Sequence, residues 1–130
     1  MARILIANDD CDLLELCRSF LEDEGHLVDI VANGEEAVAR LRTWMPDLVV
    51  MDWVMPEMDG GTAVEKLRAH PATASMPVLM MSGSDDGEAR SLAAGADSFL
   101  RKPFRGAELV NCVADLLRST SGIARPTTAV

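Results

Sequence analysis

The sequence predicts a doubly wound α/β domain, a five-stranded parallel sheet with helices on both faces. Two observations predict it. Five short apolar runs alternate along the chain with five segments of helical periodicity, and such alternation implies parallel strands joined by right-handed crossovers. The apolar runs are also continuous, as expected of strands buried on both faces. A length of 130 residues suits one domain with its own core.

The first strand is Ile4-Leu5-Ile6-Ala7, which stops at Asn8-Asp9-Asp10. Leu13, Leu16, Cys17, Phe20 and Leu21 then recur at helical spacing, and Gly25 closes that helix. Residues 27–31 read as the second strand. Asn33 caps the second helix, with Glu36 at the capping-box position and Ala37, Val38 and Leu41 as its apolar stripe. The third strand covers 47–51, and a Pro/Gly loop leads to a helix carrying Val64 and Leu67 that ends near His70-Pro71. Residues 77–81 form the fourth strand, 86–94 a short helix closed by Gly95, and 98–100 a brief fifth strand before Lys102-Pro103. Leu109, Val110, Val113, Leu116 and Leu117 line the last helix. The domain is expected over 1–118, with 119–130, "STSGIARPTTAV", as a polar tail or linker stub.

Acids outnumber bases 21 to 12, for a formal charge of −9. That balance argues against direct binding of nucleic acid, which needs clustered Lys and Arg. It is compatible with a divalent cation and with a partner that offers a basic rim. The cysteines Cys11, Cys17 and Cys112 lack metal-type spacing, and Cys17 and Cys112 fall on apolar helical positions, as reduced core thiols do. No apolar stretch approaches membrane-spanning length, and Met1-Ala2-Arg3 leads directly into the first strand without a signal peptide. No membrane association and a cytoplasmic location are expected.

In an open parallel sheet, functional groups gather beyond the carboxyl ends of the strands. Asn8, Asp9 and Asp10 follow the first strand, Asp52 the third, Ser82-Gly83-Ser84 the fourth and Lys102-Pro103 the fifth. Two or three carboxylates, a hydroxyl and an ammonium therefore converge on one edge. Clustered carboxylates repel one another unless a cation intervenes. Mg²⁺ suits them, since it takes oxygen ligands and keeps waters and a phosphate oxygen. With a lysine and a hydroxyl added, such an edge can neutralise a phosphoryl group, and a carboxylate can itself be the nucleophile.

The runs "ILIANDD", "PDLVVMDWVMPEMDG", "PVLMMSG" and "GADSFLRKPF" resemble the receiver domains of two-component response regulators, over roughly residues 3 to 118. The resemblance implies a flavodoxin-like sheet of order 2-1-3-4-5. It also implies that Asp52 accepts a phosphoryl group from a histidine kinase or phosphotransfer protein. Asp9 and Asp52 would bind Mg²⁺ with the backbone carbonyl of Val54, Ser82 would hydrogen-bond the phosphoryl group, and Lys102 would pair with it. A cis peptide would precede Pro103, and Phe99 would be an aromatic switch that turns inward when the Ser82 loop closes. The output surface, built from the fourth helix, fifth strand and last helix, would then meet a downstream effector or output domain.

Three positions depart from the family pattern. The usual pair of adjacent acids after the first strand is here Asn8–Asp9, since 52 − 9 = 43 and the helix phase through Leu13, Leu16 and Cys17 set that register. Asn8 would reach the metal only through a bound water. The other register, with Asp9 and Asp10 as the pair, stays open; in the first, Asp10 is a helix cap. Val54 stands where many members carry a polar side chain, so nothing there orients an attacking water. Phe99 lacks the hydroxyl of the commoner tyrosine. The competing function is a phosphorylation-independent interaction module, towards which Asn8 leans. An aspartate-nucleophile phosphatase would need a second acid at Val54, and a flavin carrier would need a first loop that does not repel phosphate as "NDD" does.

Overall fold

The computed structural model describes residues 2–121. Strands β1 (Arg3–Ala7), β2 (Leu27–Val31), β3 (Leu48–Asp52), β4 (Val78–Ser82) and β5 (Ser98–Arg101) alternate with helices α1 (Cys11–Asp23), α2 (Gly34–Arg40), α3 (Gly60–Ala69), α4 (Gly87–Ala94) and α5 (Gly106–Ser121). The strands form one parallel sheet of order β2-β1-β3-β4-β5, as the resemblance implies.

Side-chain alternation along the strands splits the core in two. Ile4, Ile6, Val50, Leu79 and Met81 face Leu14, Cys17 and Leu21 of α1 and Leu109, Val113 and Leu116 of α5. Leu5, Ala7, Val49, Met51, Val78 and Met80 face Ala37 of α2 and Ala63, Val64 and Leu67 of α3. Every residue of β3 and β4 is buried, which is why these runs show no polar alternation.

Local signals set the helix ends. Asp10 caps α1 by accepting from Asp12 N and Leu13 N, which is the cap role rather than the acidic-pair role for this residue. The Asn33 side chain accepts from Glu36 N at 2.8 Å, while Glu36 Oε1 reaches back to Ala32 N. Asp59 caps α3 through Thr62 N. Gly25 and Gly95 take positive φ (89° and 116°) just past α1 and α4, where a side chain would be strained.

At the amino-terminal edge of the sheet, Arg68 joins α3 to β4 and β5. Its guanidinium donates to the carbonyls of Gly95, Ala74 and Met76 and lies 2.9 Å from Asp97 Oδ2, which also accepts Val78 N at 2.8 Å.

Several boundaries differ from expectation by a residue: β1 begins at Arg3, β3 at Leu48, β4 at Val78 and α4 at Gly87. β3, β4 and β5 include Asp52, Ser82 and Arg101, because the ladder pairs Asp52 with Met81 and Ser82 with Arg101. α5 continues to Ser121, so Ser119, Thr120 and Ser121 end the helix instead of opening a tail; the rest of that expected tail, 122–130, lies outside the described residues. Cys17 is buried and Cys112 half-buried, whereas Cys11 is exposed. His26, expected at the surface, is half-buried, and its Nδ1 accepts from Ala2 N.

Candidate functional site

β1, β3, β4 and β5 are adjacent and parallel, so their carboxyl ends deliver Asn8, Asp52, Ser82 and Lys102 to one edge. Asn8 continues the ladder by donating its N–H to Val31 O, and Lys102 N donates to Ser82 O. Asn8, Asp52 and Ser82 are 1%, 3% and 4% exposed, and only Thr73 and Ser91 join them as buried polar residues among the described residues.

Asp52 is held from both sides. Lys102 Nζ lies 2.8 Å from Oδ1. Trp53 N donates to Met81 O, and Gly60 N donates to Trp53 O at 2.8 Å. A Cβ at Gly60 would come within 2.4 Å of Asp52 O, so only glycine lets the start of α3 close against this strand end. Burial pushes the Asp52 carboxyl above its ordinary value. The Lys102 ammonium pulls it back, the Asp9 carboxylate adds to the rise, and the Trp53 N–H lowers it. The site thus keeps an acid buried by setting a cation beside it.

Asp9, exposed at the β1 tip, is near enough to act on Asp52 electrostatically. Asp10 spends its carboxylate on the α1 cap, so two acids converge at this edge and not three. Asn8 differs from expectation in which of its atoms is free. Its Oδ1 already accepts Asp10 N at 3.0 Å, and the buried Nδ2 has no partner. The open group is thus a donor, which suits an anionic oxygen better than a water whose protons point away from a cation.

Ser82 Oγ lies 3.0 Å from Ser84 Oγ and accepts Ser84 N. A Cβ at Gly87 would meet Ser82 Oγ at 2.8 Å and the Phe99 ring at 3.1 Å, so α4 begins directly on this serine and this aromatic. Phe99 is partly buried against the β3–β4 side of the core. The Lys102-Pro103 peptide is cis, as the resemblance implies. Val54 is 70% exposed. Trp53, given no role from sequence, packs against Gly61 and lies under Arg90, 4.7 Å from guanidinium carbon to ring centroid.

A cleft of about 390 Å³ opens beside Lys102, between Leu13, Leu16 and Phe20 of α1 and Pro103 and Phe104. Leu16, one of the residues at helical spacing, is 52% exposed there. Helical periodicity marks the apolar stripe but not which of its members another element covers.

The carboxylates at this edge that could take a metal are those of Asp9 and Asp52. No cluster of three or more His, Cys, Asp or Glu occurs among the described residues. This small all-oxygen set suits Mg²⁺, which uses one or two carboxylates and fills its other positions with water and phosphate.

Residues 4–114 match the family model described as the response regulator receiver domain. The phosphate regulon transcriptional regulatory protein PhoB of Rhizobium meliloti is 37% identical over 120 residues, covering 91% of this chain and 53% of that protein. The chain thus spans about half the length of this relative. The chemotaxis protein CheY of Halobacterium salinarum is 33% identical over 118 residues, covering 90% and 98%. Among solved structures, the receiver domain of sensor histidine kinase PA1611 from Pseudomonas aeruginosa superposes with a TM-score of 0.82 at 27% identity, covering 89% and 97%. That structure holds a magnesium ion coordinated in its active site cleft.

Proposed function

This chain belongs to the response regulator receiver domain family of two-component signalling, and from that premise we propose that Asp52 is its phosphoacceptor. The observation that carries the reading is a carboxylate almost wholly buried at a strand end, 2.8 Å from Lys102 and on the strand beside Ser82.

Response regulator receiver domains interact with histidine kinases and effector domains. Here the donor is a phosphohistidine. An Asp52 oxygen attacks phosphorus, the P–N bond breaks, and the imidazole leaves with a proton from solvent. Lys102, already at Oδ1, compensates the charge that arrives with the phosphoryl group. Ser82 gives up Ser84 and donates to a phosphoryl oxygen. Phe99, packed through Gly87 against the same serine, moves with it and alters the face of α4, β5 and α5. Asp9, Asp52 and the Val54 carbonyl would hold Mg²⁺, which would offset the negative charge of the carboxylates and the phosphate. The chain is a signalling switch in the cytoplasm, not a turnover enzyme. Because Val54 offers no polar side chain, the acyl phosphate hydrolyses slowly; a lifetime of only seconds would count against this.

The test is intact mass after incubation with acetyl phosphate, with and without Mg²⁺. The expected result is one Mg²⁺-dependent phosphoryl adduct, absent from Asp52→Asn. No adduct, together with no response to beryllofluoride, would favour the second reading, a phosphorylation-independent interaction module. The observation on its side is Asn8, which removes an acid and leaves a donor in its place.

A further inference from the structure

At the opposite edge of the sheet from Asp52, the carboxyl-terminal ends of α2 and α3 enclose a cavity of about 470 Å³. Val38, Leu41, Leu67 and Met45 supply its apolar lining, and Arg42, Lys66 and His70 stand among the same lining residues. Volume and lining fall within the range of small-molecule sites, about 300–1,000 Å³ and mostly apolar with a few polar groups.

The cations are the informative part. The chain carries nine more acids than bases, and its arginines and lysines are mostly engaged by carboxylates or tryptophan rings. Among the described residues, Arg42, Lys66 and Arg105 alone of these have neither an ion pair nor a ring contact. Two of these three line this cavity. His70 Nδ1 accepts Ala72 N at 3.2 Å, which leaves Nε2 as the donor. Thr73 is spoken for, donating to Leu67 O at 2.7 Å. Cations at helix carboxyl ends do complement the macrodipole. That accounts for Lys66 in the last turn of α3, but not for an open apolar hollow beside it. Met45, 45% exposed, adds a flexible thioether suited to closing over an apolar guest.

We propose that this cavity binds a small amphiphile with one anionic head on an apolar body, the head meeting Arg42 and Lys66 and the body meeting Leu41, Met45 and Leu67. The site is independent of the phosphoacceptor reading.

Sodium octanoate is the probe, with 1-octanol as its neutral counterpart, each titrated into ¹⁵N-labelled protein and followed by amide NMR. Octanoate is expected to give saturable shifts at Val38, Arg42, Lys66 and His70, and to bind at least about tenfold tighter than octanol. Arg42→Gln/Lys66→Gln changes only exposed side chains, and its amide spectrum reports that the fold is retained. It should bring octanoate down to the octanol level. No saturable shift, shifts confined to other surfaces, or equal octanoate affinity in the double variant would each overturn the proposal.

Discussion

Two carboxylates at opposite ends of the sheet, Asp97 and Asp52, each face a cation, and they differ in what surrounds the pair. Asp97 Oδ2 takes both the Arg68 guanidinium and Val78 N, and Arg68 also donates to four carbonyls. This pair fastens α3 to the start of β4 and the residue before β5. Asp52 is more deeply buried and has a single lysine, while the Asn8 Nδ2 in the same row of strand ends is left without a partner. A structural ion pair is surrounded by partners that complete it, whereas the Asp52 end keeps polar capacity in reserve. Such reserve costs stability, and it is tolerated where another group will arrive.

The sharpest way to break the comparison is at Asp97. Asp97→Ala strips Arg68 and Val78 N of a shared acceptor and should cost about 2–3 kcal/mol in urea unfolding. A cost near zero would mean that the amino-terminal edge is held by apolar packing alone. At the other end, Asn8→Asp restores a second acid beside Asp9. It should tighten Mg²⁺ about tenfold, or ~1.4 kcal/mol, as read by titration calorimetry; unchanged affinity would show that position 8 does not act on the metal. The smallest effect concerns Asp52 itself. Its folded pKa lies above the ordinary 3.8, so the folded state binds the proton more tightly than the unfolded state. Stability therefore falls as pH rises from 3.8 through the folded value, and stays at that lower level above it. Asp52→Asn removes this penalty. Its Tm should exceed the wild-type value modestly at neutral pH and converge with it below pH 3.8, and a gap that persists in acid would contradict the assignment to burial.

Much of this was legible from the sequence for physical reasons. Parallel strands buried on both faces write themselves as continuous apolar runs, and Asn33, Gly25 and Gly95 mark ends through backbone chemistry local to them. The strand ends at Asp52 and Ser82 were placed one residue short because a polar side chain ends an apolar run but not a hydrogen-bonded ladder. Asp9, Asp52, Ser82 and Lys102 were legible because each comes just after an apolar run. The Lys102–Asp52 separation and the Arg90–Trp53 stack depend on residues distant in sequence, and no local signal encodes them. The Arg68–Asp97 pair went unseen for the same reason, its partners being 29 residues apart.

The two tryptophans give the opposite ends of the molecule separate optical signatures. Trp53 adjoins Asp52 and lies under Arg90, while Trp44 lies under Arg3 near the start of β1. Each indole is part-buried beside a fixed cation, so its emission depends on where that guanidinium rests. In a Trp44→Phe background the chain's own fluorescence reports from one residue beyond Asp52, without an attached dye. In a Trp53→Phe background the same instrument watches the far edge of the sheet, and the pair turns a single cuvette into a position-resolved record of how far a local event spreads.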